Sequence, residues 1–184
     1  SKAFGERPLL RDVSLGVSKG ERIGVVGRNG AGKSTLLRVL AGAEPPNSGR
    51  VTRGASVVVG ELDQVGTSAE HATIRSHVLG DRDEHDWAGD SAVREILTAL
   101  LGGFQSEQLD RRISDLSGGE RRRAYLAEQL IREVDVLFLD EPTNHLDVEI
   151  IAWLAAHLKG RPKIAIVTVT HDRWFLDEVC DHMW

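Results

Sequence analysis

Residues Gly27 to Thr35 read "GRNGAGKST", which fits G-x-x-x-x-G-K-[ST] at Gly27, Gly32, Lys33 and Ser34. The apolar run "ERIGVV" stands before it and a helical pattern from Lys33 to Gly42 follows, and a strand feeding a glycine turn that opens a helix is the setting this motif requires. Glycines let successive backbone N–H groups turn inward on phosphate oxygens, and the helix N-terminus adds its partial positive charge. The Lys33 ammonium reaches the β- and γ-phosphates and the Ser34 hydroxyl takes Mg²⁺, with Asn29, Gly30 and Thr35 completing the cradle. A chance Lys-Ser in a glycine-rich turn would explain the letters but not their setting.

Outward from this loop, alternation in "LLRDVSLGV" and then "ERIGVV", with "SKG" between, predicts a hairpin whose second strand is buried. The helix after the loop stops at Gly42 and the breaker cluster "PPNSG", and the short strands "RVTRG" and "ASVVVG" follow. Between Gly66 and Asp115 come polar loops and two helices, near Thr73 to Leu79 and Ser91 to Leu101, where Val93, Ile96, Leu97, Leu100 and Leu101 share one face. With the helix that runs on through Ile131, this is a helical lobe, about residues 66–130, inserted in the core. Beyond it lie the apolar strand "VDVLFLD", a helix from Val148 to Leu158, a second apolar strand "KIAIVTVT" and a helix after His171. Strands this uniformly apolar are covered on both faces, which predicts an α/β fold with a parallel sheet flanked by helices. At 184 residues the chain is expected to be one domain, 1–184.

Twenty-eight acidic against 23 basic residues give a net charge of −5, which argues against wholesale wrapping of nucleic acid or an anionic membrane while leaving room for a local basic patch. Cys180 is the only cysteine, so no internal disulfide can form, and the cytosol is the expected compartment. No apolar run approaches the roughly 18 residues of a spanning helix. "SKAFGERPLL" lacks the regions of a signal peptide; with no Met at residue 1 and "VCDHMW" at the end, the chain is expected to be an excerpt of a longer one.

"VLFLDEP" sets Asp140 at the end of a buried strand, the edge at which ligands sit in open α/β sheets. A carboxylate there suits Mg²⁺, and Glu141 beside it can orient and deprotonate an attacking water. Without the phosphate loop the pair would read as a solvated strand end capped by Pro142. His171 follows the next apolar strand at the same edge, where an imidazole can reach a γ-phosphate and sense its loss. A second glycine-rich turn, "LSGGERRR" at Leu116 to Arg123, is a capping box in its own right, with Ser117 as N-cap and Glu120 reaching back. That leaves two consecutive glycines unexplained, each costing about 1 kcal/mol relative to Ala in a helix. Gly118 and Gly119 make sense where the backbone must approach another molecule closely, and a helix N-terminus with bare amides favours an anion.

These stretches resemble an ABC-type ATPase domain: Walker A at Gly27 to Thr35, the "LSGGE" signature at Leu116 to Glu120, Walker B ending at Asp140, and a switch histidine at His171. The resemblance implies a P-loop core with a parallel sheet, an antiparallel β subdomain and an inserted α-helical lobe, and Mg²⁺-dependent hydrolysis of ATP. It implies that Ser117, Gly118 and Gly119 close over the nucleotide held by the Walker A of a second ABC domain, so that each nucleotide is shared. It places Glu141 and His171 in catalysis beside Gln64, which resembles the glutamine joining core to lobe; Ser34, Gln64 and Asp140 are the implied Mg²⁺ contacts. Phe4 in "KAFG" resembles the aromatic that stacks on adenine, where the family more often has Tyr, and so near the chain start it can equally be a core residue. Asp147 in "NHLD" resembles the loop that crosses the dimer interface and also suits the N-cap of the next helix.

"EPTNHLD", Glu141 to Asp147, is similar to the form typical of ABC-F proteins, soluble tandem ATPases with no membrane domain. Transporter ATPase domains more usually carry a serine-alanine pair in place of Asn144 and His145. "THDRWFLDEV" points the same way, and "HDWAGDSAVREILTALLGG" resembles the helical lobe of the first domain in Uup-type members. The resemblance thus implies a cytoplasmic, ribosome-associated translation factor whose second ABC domain lies in the same full-length chain, with no integral membrane partner. The ATP-binding subunit of an ABC membrane transporter is the alternative. In "DRDEHD" an EF-hand would need Gly where Asp86 stands, so a solvated loop is expected. Arg121 to Arg123 with Arg111 and Arg112 form an RNA-facing patch or only solvate and brace their helix, and direct RNA contact stays open.

Overall fold

A computed structural model describes residues 2–4, 7–10, 13–62 and 72–184, with the backbone alone for residues 3, 4 and 7–10. The antiparallel pair β1 (Lys2–Phe4) and β2 (Arg7–Leu10) comes first. The other strands, β3 (Arg22–Val25), β4 (Val59–Leu62), β5 (Val136–Asp140), β6 (Ala165–Val169) and β7 (His182–Met183), form one parallel sheet in the order β4, β5, β6, β3, β7. β6 is buried at every position and β5 at all but its first, as strands covered on both faces must be.

On one face Ile23, Val25, Phe138, Val167 and Val169 enclose Leu37 of α1 (Lys33–Ala41). Each such buried side chain contributes about 1.5–3 kcal/mol. Gly42 ends α1 in the left-handed region at φ 80, and Arg53 donates to the Leu40 carbonyl at 2.6 Å, setting a cation on the negative end of the helix. On the other face, a Cβ at Gly24 would stand 2.6 Å from Met183 Sδ and 2.9 Å from Leu176 Cδ2, so α8 (Arg173–Val179) packs there only over glycine.

The chain divides into two units. The sheet unit comprises Ser1–Asp63, Val134–Pro142 and His157–Trp184. The helical unit comprises Gln64–Glu133 and Thr143–Ala156, with α2 (Ile74–Val78), α3 (Glu84–Gly89), α4 (Ser91–Leu101), α5 (Ser106–Leu109), α6 (Gly118–Ile131) and most of α7 (Val148–Lys159). In the helical unit, Val93, Ile96, Leu97, Leu100 and Leu101 are buried on one side of α4, which packs on α6. The Asp90 carboxylate caps α4 by accepting from the Ala92 and Val93 amides.

The helical unit also buries a histidine. His77 stacks edge-on to Tyr125 with ring centroids 4.5 Å apart, and its Nε2 lies 3.5 Å from Glu128 Oε2. Burial pushes its pKa below the ordinary 6.5, and the nearby Glu128 charge only partly opposes this. A depressed folded-state pKa means that the unfolded chain takes up the proton first. His77 therefore contributes stability that is complete above pH 6.5 and lost as pH falls below it toward the folded value. Wild type should lose thermal stability on acidification in this window more steeply than His77→Gln, which does not titrate; equal slopes would refute the assignment.

Three expectations are corrected. The turn at Ser18 to Gly20 forms, with Glu21 N–H donating to Ser18 O at 3.1 Å, but among the described residues no hairpin spans it. β3 pairs in parallel with β6 and β7, since a strand buried on both faces takes central partners. "RVTRG" forms no strand, and the strand expected in "ASVVVG" begins only at Val59, in parallel with β5. Its start is set by Asp135, whose carboxylate accepts from Val58 N–H at 2.9 Å while its own N–H donates to Val58 O at 2.8 Å. The loop expected at "DRDEHD" becomes helical from Glu84, where Glu84 and Asp86 favour a helix N-terminus and Trp87 supplies one buried anchor. Among the described residues, antiparallel pairing between strands is confined to β1 and β2.

Candidate nucleotide site

Val25, Val169 and Asp140 lie in register across β3, β6 and β5, so the carboxyl ends of three adjacent strands share one edge. From that edge the chain leaves as the glycine loop after β3, Glu141 after β5 and His171 after β6. Three segments remote in sequence are thereby brought together.

The loop turns on glycines at positive φ, 78° at Gly30 and 89° at Gly32, values that a side chain would resist. Gly32 caps α1 without a side-chain bond, the first turn holds no acid, and the first helical bond is Leu36 N–H to Gly32 O at 2.8 Å. The amides from Gly32 to Thr35 are thus the helix's uncompensated donors, a ready anion site. Lys33 folds back over the loop, its Nζ donating to Gly27 O at 2.9 Å and Arg28 O at 3.1 Å. Asn29 is exposed and Ser34 half-buried, whereas Thr35 is buried.

Asp140 and Glu141 are both buried. Glu141 has φ 50, a strained backbone for a residue with a side chain, fixed by its N–H donating to Val169 O at 2.7 Å. Its carboxylate spans His171: Oε1 is 3.3 Å from Nε2, and Oε2 accepts from the His171 N–H at 3.4 Å. The His171 side chain is 62% exposed, so this couple joins a buried acid to an imidazole open to solvent.

In the helical unit Ser117 caps α6. Its hydroxyl accepts from Glu120 N–H at 3.3 Å, and Glu120 Oε2 accepts from the Ser117 N–H at 3.0 Å and hydroxyl at 2.8 Å. A Cβ on Gly118 would meet nothing within 4 Å, so no neighbour in the described fold requires glycine there. A Cβ on Gly119 would stand 3.6 Å from His145 Cβ, an ordinary contact, with His145 itself at φ 64. The Asp147 carboxylate accepts from Ile150 N–H at 2.9 Å at the start of α7. The Phe4 side chain and Gln64 lie outside the described residues. Glu120 has a further partner with no signal in the sequence: Arg111 Nη1 bonds Glu120 Oε1 at 2.8 Å, a pairing with no helical or strand spacing to announce it.

A parallel sheet whose ligand edge carries a glycine-rich phosphate loop, an acid pair and a histidine defines an ATP-binding domain of the P-loop class. A family model described as "ABC transporter" matches residues 10–144, and the chain belongs to that family as an ABC ATPase domain. It is 41% identical over 194 residues to the energy-dependent translational throttle protein EttA of Haemophilus influenzae, covering all of this chain and 33% of that one. It is 38% identical over 218 residues to the tylosin resistance ATP-binding protein TlrC of Streptomyces fradiae, covering 97% of this chain and 40% of that one. Both relatives are ABC-F proteins, and the chain spans well under half the length of each. A crystal structure of an archaeal ribosome recycling factor complexed with a ribosomal stalk protein matches with a TM-score of 0.77 at 29% identity, over 91% of this chain and 32% of that one.

Proposed function

We propose that this chain is one ATP-hydrolysing domain, 1–184, of a tandem ABC-F protein that couples ATP-driven pairing of two such domains to a ribosome-associated step in translation. The observation that carries the catalytic part is the shared edge of Val25, Val169 and Asp140, from which phosphate loop, base and histidine all depart. The bare amides of α1 and Lys33 hold the phosphates. Glu141 orients and deprotonates the attacking water, and His171, held against it, donates to the γ-phosphate. Ser34 and Asp140 supply a hydroxyl and a carboxylate, oxygen donors of the kind Mg²⁺ accepts alongside phosphates and water, and the ion neutralises phosphate charge when bound. Phe4 stacks on adenine, Gln64 adds a contact to metal or water, and an antiparallel β subdomain completes the core.

The signature turn of Ser117, Gly118 and Gly119 serves a nucleotide held by the second domain. The open space at Gly118 supports this, because nothing among the described residues accounts for the missing side chain. The ribosomal partner rests on what the relatives' names say of them. No helix among the described residues is long and apolar enough to cross a membrane, and a cytosolic place accords with the proposal.

In the full-length protein, Ser117→Arg should leave ATP affinity at Lys33 within about twofold and lower turnover by about 10²–10³, the scale of losing a preorganised donor set. Nucleotide titration and ATPase rate, measured separately, decide it: lost ATP binding would assign the signature to its own site. Ribosome co-sedimentation of the ATP-loaded, hydrolysis-deficient Glu141→Gln protein tests the partner, and a protein that never pellets with ribosomes rejects it.

A further inference from the structure

Glu120 raises a problem of charge. The first turn of α1 carries no acid, as an anion site requires, whereas the first turn of α6 holds a carboxylate 2.8 Å from the Ser117 hydroxyl. If that hydroxyl meets a γ-phosphate, a negative charge one hydrogen bond away repels it. Glu120 does not escape by protonation. The Arg111 guanidinium first, then the Ser117 N–H and hydroxyl, holds its carboxyl down to about 2, so it is ionised at any working pH.

Arg111 also supplies the countercharge. Its Nη1 lies 2.8 Å from Glu120 Oε1, the oxygen that Ser117 leaves unused, so the two carboxylate oxygens are divided between the two partners. Nor is Arg111 loosely placed. Its carbonyl accepts from Ile74 N–H at 2.9 Å, and the next residue, Arg112, bridges to Thr73, so its backbone is tied to the start of α2.

We propose that Arg111 is a positioning residue of the signature: it neutralises Glu120 and holds the carboxylate on Ser117, so that the turn keeps its cap without presenting a negative charge to the triphosphate of a second domain. This rests on the reading of the Ser117 turn as a phosphate face given above. A purely structural Arg111 would brace the turn whatever charge Glu120 carried; a charge-compensating one becomes dispensable once Glu120 is made neutral. Gln at position 120 still accepts from the Ser117 N–H, because the capping box works with either side chain.

The test is a double-mutant cycle in the full-length protein, reading ATP affinity, turnover and melting temperature. Arg111→Ala should lower turnover about twofold to fivefold, the scale of an exposed charge contact, with ATP affinity at Lys33 unchanged. The deficit should shrink as ionic strength rises. Arg111→Lys should retain most of the rate. Adding Glu120→Gln to Arg111→Ala should restore turnover. A wild-type rate in Arg111→Ala overturns the inference, as does a double variant that stays as slow as the single one. If Ser117→Arg impairs turnover while Arg111→Ala does not, only this inference falls. A harmless Ser117→Arg removes the shared-nucleotide reading and this inference with it.

Discussion

In the full-length protein, Glu141→Gln is expected to lower ATP hydrolysis at this domain's site by about 10²–10⁴, the contribution of a positioned general base, while ATP binding persists. The geometry makes the substitution a clean one. Glu141 is 6% exposed, and its backbone is held at φ 50 by the bond to Val169 O, so a side chain of the same size has one place to go. Gln keeps an oxygen to accept from the His171 N–H, and loses the capacity to take a proton together with the negative charge that faces the His171 imidazole. ATP should then hold the paired domains closed, and total turnover falls less if the other composite site stays active. Single-turnover hydrolysis measured beside nucleotide affinity checks this. A Glu141→Gln protein that hydrolyses ATP at the wild-type rate would move the base elsewhere.

The strain at Glu141 is also what the sequence could not disclose. "VLFLDEP" announces a buried strand ending in acids because residues between two covering layers must be mostly apolar, as Val136 to Leu139 are, and β5 and β6 were legible for that reason. The glycine loop was legible because its spacing serves both the turn and the phosphates. Partner choice was not, since alternation in "LLRDVSLGV" and "ERIGVV" describes two extended runs without saying whether they pair with each other. β3 instead lies between β6 and β7, and β7 is only two residues long. α3 was hidden because one buried side chain, Trp87, makes no periodicity. Among the site residues, Ser117 and Glu120 announced their own capping box, but Arg111 meets Glu120 through tertiary structure alone. The left-handed backbone at Glu141 and His145 likewise has no signal in residue type, because neither is a glycine.

Lys33→Ala should cost about 10²–10⁴ in ATP affinity with little change in melting temperature. The ammonium now divides its hydrogen bonds between Gly27 O at 2.9 Å and Arg28 O at 3.1 Å, both exposed, so the folded chain gains little stability from them. Their importance is positional: they hold a full positive charge over the mouth of the loop before any phosphate arrives. Contacts from that charge to the β- and γ-phosphates are charge-assisted, worth about 1.5–3 kcal/mol each, and two of them give the stated range. The bare amides from Gly32 to Thr35 remain in the variant, so weak phosphate binding should survive. Lys33→Arg should not restore affinity, because the longer, planar guanidinium spreads its charge and does not fit the place of a compact ammonium between the loop carbonyls and the phosphates. Titration with a fluorescent ATP analogue, alongside thermal unfolding, separates the outcomes. Unchanged affinity would remove the phosphate cradle from Gly27 to Thr35, and a large fall in melting temperature would make Lys33 a structural brace of the loop instead.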